Sequence, residues 1–571
     1  MSRSPVWTAL LLAALVGAGC RDAEPPAGDG SSTTSDDDDA LDPWPGPIST
    51  VTSATQGSSG SDGSGGTTDT TTDDPGGPST GEAIDAAPTI LLTINDDAAP
   101  ATISRAGTQT IAAEVTDDHG LALLEVFVGD DPAPFAALPL AGSTWERIEV
   151  PLPIYDDDQN GALEVHAVIH DDADQASASA AVHLDVKLPE GGSLVWESVS
   201  AGKFASKALS VAVDSIGDVI AVGSEDTTPD GHHSRMVIRK YHGESGALLW
   251  ERTVPTQADV PAPPGNNLAR GVTVDAYDNV YVVGEVRPDG LNRSLWLGKY
   301  THDGLLAATY VSDAAMSRGN AVTVDGSGRV FVVGYRYDGQ YDNVATIEAF
   351  DIGLKRLWDD LVLVEDYVDA RFYGVAVDRT GKIVAVGSTR VDMTKTSQGL
   401  VALYSAEGAP QWARATTPFA PVPRERIFSV QVTDDNEYLC AGRLEAYDDP
   451  RRLWHVHIDE SGLELDSHPD VLTRCGDPDF TNDTDVCGVG QSLHGGRLVW
   501  AGVAYSDVDD IQVMQTGKDG ATHYWMSAIN GYDAAIDRGL AVAVDADGFV
   551  SAAGYETKLG EPRWWVSRRN P

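Results

Sequence analysis

From about residue 190 onward, apolar and polar positions alternate in short runs, the pattern of half-buried strands. One such unit is written seven times. Its clearest copy is Ala321-Val-Thr-Val-Asp-Gly-Ser-Gly-Arg-Val-Phe-Val-Val-Gly334: a strand to Asp325, a four-residue turn, and a second strand to Gly334. The copies end on Gly223, Gly284, Gly334, Gly387, Gly442, Gly502 and Gly554, and nine residues before these stand Asp214, Asp275, Asp325, Asp378, Thr433, Leu493 and Asp545. An aspartate there accepts hydrogen bonds from backbone N–H groups two residues on. Three residues later come Gly217, Asp278, Gly328, Gly381, Asn436, Gly496 and Gly548, all of types that tolerate positive φ. The pattern predicts a hairpin with a type I turn closed by a left-handed residue. The row of aspartates is therefore a turn device and not a row of catalytic acids.

A third and a fourth strand follow in each unit, for example Leu295-Trp-Leu-Gly-Lys-Tyr300, then a turn with Asp303-Gly304. The fourth strand often carries a tryptophan, as at Trp250, Trp358 and Trp412. Four strands recurring every 50 to 61 residues predict a β-propeller. The chain stops at Arg563-Trp-Trp-Val-Ser567, a third strand without a fourth, while Gly192-Ser-Leu-Val-Trp-Glu-Ser-Val199 has the Gly-to-Trp spacing of Gly246 and Trp250. That early strand is expected to complete the last unit, closing the ring and removing open sheet edges. The unit resembles the repeat of bacterial seven-bladed β-propeller proteins, A-V-D-x-x-G-x-V-Y-V-x-G followed by K-Y-x-x-x-G-x-x-x-W, over about residues 193 to 571. The resemblance implies the fold and says little of function. The Gly-x-x-x-Trp element also resembles quinoprotein propellers, which hold a quinone and a metal among Asp, Arg and Lys ligands; neither that ligand set nor their disulfide of adjacent cysteines is found here.

Upstream, residues 88–188 carry six or seven short alternating strands, among them Thr110-Ile-Ala-Ala-Glu-Val115 and Leu163-Glu-Val-His-Ala-Val-Ile169, which predict a small β-sandwich. The stretch Val115-Thr-Asp-Asp-His-Gly-Leu-Ala-Leu-Leu-Glu-Val-Phe-Val128 resembles bacterial immunoglobulin-like modules, and no cysteine pair accompanies it. The expected fold is all-β: a seven-bladed propeller preceded by an immunoglobulin-like sandwich.

Residues 21–87 lack any such pattern. They are Asp, Ser, Thr, Gly and Pro, with no Lys or Arg between Arg21 and Arg105. A segment of this composition cannot bury enough apolar surface to offset its ordering entropy, so a disordered, extended linker is expected. Before it, Arg3 and the apolar run Trp7 to Val16 form a secretory signal over residues 1–20. The Gly17-Ala-Gly-Cys20 ending resembles a bacterial lipobox, which implies a lipid on Cys20. Elsewhere no apolar run approaches the roughly 20 residues that span a bilayer.

Charge narrows the partners. With 39 Lys and Arg against 87 Asp and Glu, the net charge is -48 over 571 residues. Such a surface repels nucleic acid, which is held by clustered cations. Cys475 and Cys487 flank a loop holding Asp477, Asp479, Asp483 and Asp485. In an exported chain these cysteines are expected to pair, with Cys440 left as a buried thiol; a bridge from Cys440 to one of them stays open. The loop reads either as a polar, disulfide-stapled segment or as a Ca2+ site built from carboxylate oxygens. His455 and His457 lie two apart on one strand, on a shared face, without an evident third metal ligand.

The sequence thus describes a lipid-anchored protein of the outer membrane or cell surface, expected to be a monomer, whose propeller binds a protein or glycan through loops at one end. The unequal segments 225–234, 254–268, 338–343 and 417–426 are its candidate loops. No catalytic motif is present. A hydrolase or lyase site in the channel, or a purely structural envelope role, are the other readings.

Overall fold

In the computed structural model, the described residues are 86–571 apart from 98–100, 130, 156–158, 203, 230–232, 255–265, 288–291, 315, 338, 340–342, 363–367, 391–396, 418–423, 434, 446–451, 469–489, 495–496, 506–508, 518–522, 530–536 and 559. Every named element among them is a strand. The signal, Cys20, linker residues 21–85 and the Cys475–Cys487 loop with its four aspartates lie outside the described residues.

Strands between Thr89 and Val186 make two sheets. Thr89–Ile94, Gly107–Thr116 and Trp145–Ile154 form one. Pro151 and Pro153 sit on its edge strand, where a missing N–H leaves no ladder bond unmade. The second sheet includes Leu121–Val128, Gly161–Asp171 and Val182–Val186. Alternation places Ile111, Val115, Leu124, Val126, Val165, Ala167 and Ile169 in one shared core.

Downstream lie seven four-stranded antiparallel sheets among the described residues. Their first strands are Ser206–Val213, Leu268–Val274, Ser317–Val324, Asp369–Val377, Arg424–Val432, Gly490–His494 and Arg538–Val544. Each first strand packs against the next, and the last packs against the first. They are thus the inner wall of a ring, and the topology is that of a β-propeller. The outermost strands alternate toward solvent, as in Leu306–Val311 and Pro410–Ala415. Leu194–Val199 pairs with the carboxyl-terminal strand Glu561–Arg569, so the earliest strand of the ring completes its last sheet.

The repeated residues each have a local cause. In the Asp325 turn, Gly328 N–H donates to the Asp325 carbonyl (2.9 Å), and Ser327 and Arg329 N–H donate to Asp325 Oδ1 (2.9 Å each). Gly217, Asp278, Gly328, Gly381, Asn436 and Gly548 have φ of 84, 59, 83, 84, 59 and 82°, the left-handed closure the pattern predicts; Gly496 is outside the described residues.

The glycine that ends each copy is required by something the sequence does not announce. Six first strands carry a β-bulge opposite it, where the register slips by one residue. The extra residues are Leu209, Arg270, Asn320, Tyr373, Phe428 and Leu540. The bulge drives a carbonyl onto the glycine: a Cβ at Gly223, Gly334 or Gly387 would collide with the backbone oxygen of Lys207, Arg318 or Arg371.

Tryptophans tie neighbouring sheets together. The indoles of Trp196, Trp250, Trp358 and Trp412 lie on Gly246, Gly304, Gly408 and Gly462 of the following sheet, each glycine at positive φ. Trp196 Nε1 donates to the Gly243 carbonyl (2.6 Å), Trp250 Nε1 to His302 (3.0 Å) and Trp412 Nε1 to Glu460 (3.1 Å). Trp525 lies likewise on Gly192, at the start of the closing strand.

Candidate binding face

The antiparallel order makes the two ends of the ring unlike. One end holds the turns between first and second strands and between third and fourth. These are five residues long at 214–218, 275–279, 301–305, 325–329, 351–355, 378–382, 405–409, 433–437, 459–463 and 545–549. The remaining connections all meet the other end, and they vary widely: 312–316, 337–343, 363–368, 255–267 and 469–489. The described strands that flank the candidate loops 225–234, 254–268, 338–343 and 417–426 stop and start at this loop end, and the segment holding Cys475, Cys487, Asp477, Asp479, Asp483 and Asp485 lies outside the described residues.

The turn end is the one the sandwich touches. Phe549, the last residue of the Asp545 turn, joins the sandwich core, with the Arg105 and Arg568 guanidinium groups over its ring at 5.1 and 4.8 Å. Tyr155 Oη donates to the Ala546 carbonyl (3.3 Å), and Arg105 pairs with Glu244.

Along the axis the ring is filled. Leu209, Tyr373, Phe428, Leu540 and Tyr555 form one buried cluster although they come from the first, fourth, fifth and seventh sheets. Residues of such distant sheets meet only on the axis. Four of the five are bulge residues, and the Tyr373 and Phe428 ring centroids are 5.4 Å apart. A reaction along the axis at this depth would have to displace this plug.

Two residues before the bulge, toward the loop end, stand Lys207, Arg318, Arg371, Arg426 and Arg538; the second sheet has Leu268 there and carries its cation at the bulge itself, Arg270. Six first strands thus bring a cation to the rim of the axis in a protein whose net charge is -48. Lys207, Arg371 and Arg426 are half-buried, the others buried. The seams between sheets hold them. Glu285 accepts from Arg270 Nη2 (3.1 Å) and Arg318 Nε (2.8 Å). Burial alone would raise the Glu285 pKa, but Arg318 and Arg270 hold it down at about 2. Tyr335 has the Arg318 and Arg371 guanidinium groups against its ring at 5.2 and 5.0 Å. Arg371 and Arg390 share Asp369. Lys207 Nζ lies 5.0 Å from the Tyr555 ring centroid. Burial holds this ammonium below its ordinary value, with Asp226 working against that shift and Arg538 with it.

This rim escaped sequence reasoning, although its signal is there: a basic residue stands seven positions before each of Asp214, Asp325, Asp378, Thr433 and Asp545. Among the other candidates, Cys440 is a buried, free thiol whose pKa burial pushes up. His455 is buried, and His457 Nε2 lies 2.8 Å from Glu437 Oε2. No group of three potential metal ligands occurs among the described residues.

No family model matches the chain, and no curated protein matches it. Among solved structures, it is similar to a protein of unknown function from Dyadobacter fermentans (11% identity, 66% of this chain and 98% of that one, TM-score 0.41). It is also similar to the β-propeller domain of the Trilobed protease from Pyrococcus furiosus (11%, 65% and 98%, TM-score 0.38) and to the periplasmic gluconolactonase of Pseudomonas aeruginosa (12%, 62% and 95%, TM-score 0.38). At these scores the likeness carries no argument, and the fold rests on strand topology.

Proposed function

We propose that this chain is a lipid-anchored display protein of the cell envelope. A lipid on Cys20 would hold it to the membrane, the 21–87 linker would extend it, the immunoglobulin-like module would act as spacer, and the loop end of the propeller would take a protein or glycan ligand. The observation that carries the reading is the division of labour between the two ends. Short turns, five residues long in most sheets, and the sandwich contact occupy one end, while the long and unequal connections meet the other. Rigid scaffolds that present variable loops on one face are the common design of binding proteins.

The test is a screen of the full chain against a glycan panel and purified envelope proteins, repeated with segment 255–265 replaced by a short Gly-Ser turn. Retained folding with lost binding is the expected result. Ligand capture that is indifferent to every loop-end replacement would count against the reading.

A further inference from the structure

We propose that the sandwich is the clasp of the ring, holding the closing strand Leu194–Val199 on the carboxyl-terminal strand Glu561–Arg569. That pair is the weak joint of the fold. In the other six sheets the fourth strand follows the third after five or six residues, so the connection itself keeps the pair together. The closing strand has no such connection, and only its ladder and its side chains hold it in place. Bringing together two segments so far apart in the chain costs closure entropy that a hairpin does not. An outermost strand bonded on one side is also the kind of element that opens locally.

Two breaks in the repeat, both at this seam, carry the inference. The first is the residue that ends the turn between first and second strands. It is polar in the other described turns, as Asp218, Asn279, Arg329, Lys382 and Glu437, but in the seventh sheet it is Phe549, buried in the sandwich core. The second is the bulge residue of the fourth strand. Leu249, Ala307, Leu357, Gln411, Leu465 and Tyr524 hold that place in the other sheets, all exposed, whereas Val195 of the closing strand packs against the sandwich core and the ring core together. Contacts reach both sides of the seam. Arg568 of the carboxyl-terminal strand lies against the Phe549 ring (4.8 Å), pairs with Asp545 of the seventh sheet and donates to the Gly217 carbonyl of the first (2.6 Å). Arg105 of the sandwich pairs with Glu244 of the first sheet. The joint between sandwich and strand is pinned as well: Asn160 Nδ2 donates to the Leu188 carbonyl (3.1 Å), and Asn160 Oδ1 accepts from Leu188 N–H. A pull on the chain ahead of the ring therefore meets the docked sandwich before it can peel Leu194 away.

The experiment is native-state hydrogen-exchange mass spectrometry on the full chain. Phe549→Asn and Val195→Gln, made together, restore residue types that other sheets carry at these places, as at Asn279 and Gln411. Exchange in Leu194–Val199 and Glu561–Arg569 should quicken about tenfold or more, while the matching strands of the second sheet, Ser294–Tyr300 and Leu306–Val311, keep the parent's rate. Tyr155→Phe removes the hydroxyl that bonds the Ala546 carbonyl and Thr108 and leaves the packing in place. It should quicken the same two strands about threefold, and it decides the matter if the paired variant does not fold. Unchanged exchange in the closing pair, or an equal rise in every sheet, overturns the clasp. The ligand of the loop end does not enter, so the clasp and the display reading stand or fall separately.

Discussion

Gly334 is the residue at which the fold is least forgiving. Its backbone is ordinary strand, yet the Arg318 carbonyl and Gly319 fill the place of a side chain. Gly334→Ala must push the bulged strand away from its partner, and we expect a loss of about 2–3 kcal/mol in denaturant unfolding. Gly339, at positive φ with open space around it, should lose less on the same substitution. Glu285 sets the pH response of the rim. Its folded pKa lies below the unfolded value of 4.5, so its contribution is full above pH 4.5 and is lost as pH falls toward about 2. Glu285→Gln removes this dependence and leaves Arg270 and Arg318 without their buried counter-charge. A loss of roughly 3–5 kcal/mol at neutral pH is expected, measured as a midpoint shift between pH 2 and 7. Residues of this kind differ in how readable they are. Asp325 and Gly328 could be read because the turn admits few residue types. The bulge could not, because its extra residues, Leu209, Arg270, Asn320, Tyr373, Phe428 and Leu540, share no chemistry. The first-strand cations Lys207, Arg318, Arg371, Arg426 and Arg538 were not legible either, because a basic residue on an alternating strand reads as one that faces solvent.

At the scale of the element, the working unit is the pair formed by a tryptophan on an outermost strand and a glycine in the next sheet. This explains why Gly-x-x-x-Trp repeats: the glycine turns its own hairpin at positive φ, and the tryptophan four residues on reaches the following glycine. The two ends of the spacing serve different seams, which sequence alone does not reveal. Trp196→Ala should cost more than Trp250→Ala. Trp196 is 7% exposed and sits at the seam where the closing strand returns to the first sheet, whereas Trp250 is half-buried. About 3 kcal/mol and about 2 kcal/mol are expected in urea unfolding. Equal and small losses would remove the tryptophan clamp from the account. The pairing of Leu194–Val199 with Glu561–Arg569 was legible because a missing fourth strand and a spare one share a spacing. Four of the unequal connections, at 225–234, 254–268, 338–343 and 417–426, were legible to within a few residues, but not their conformation, since polar connections answer to their surroundings more than to periodicity.

For the whole molecule, the proposed display role sets a lipid anchor on Cys20 ahead of a ring whose loop end would take the ligand. The anchor is testable apart from the ring: Cys20→Ser should move the protein from the membrane fraction to the soluble one without changing its unfolding midpoint. A Cys20→Ser protein that stays with the membrane would remove the lipid from the account. The overall charge of -48 makes the surfaces of two copies repel each other. The central claim is that ligands meet the ring at its loop end. It is tested most directly by hydrogen-exchange mass spectrometry on the full chain, with and without the ligand that the glycan and protein screen returns. The account predicts protection confined to loop-end connections such as 255–268, 337–343 and 363–368 and to the first residues of the inner strands. Protection at the five-residue turns or on the sandwich, with the loop end unchanged, would contradict it.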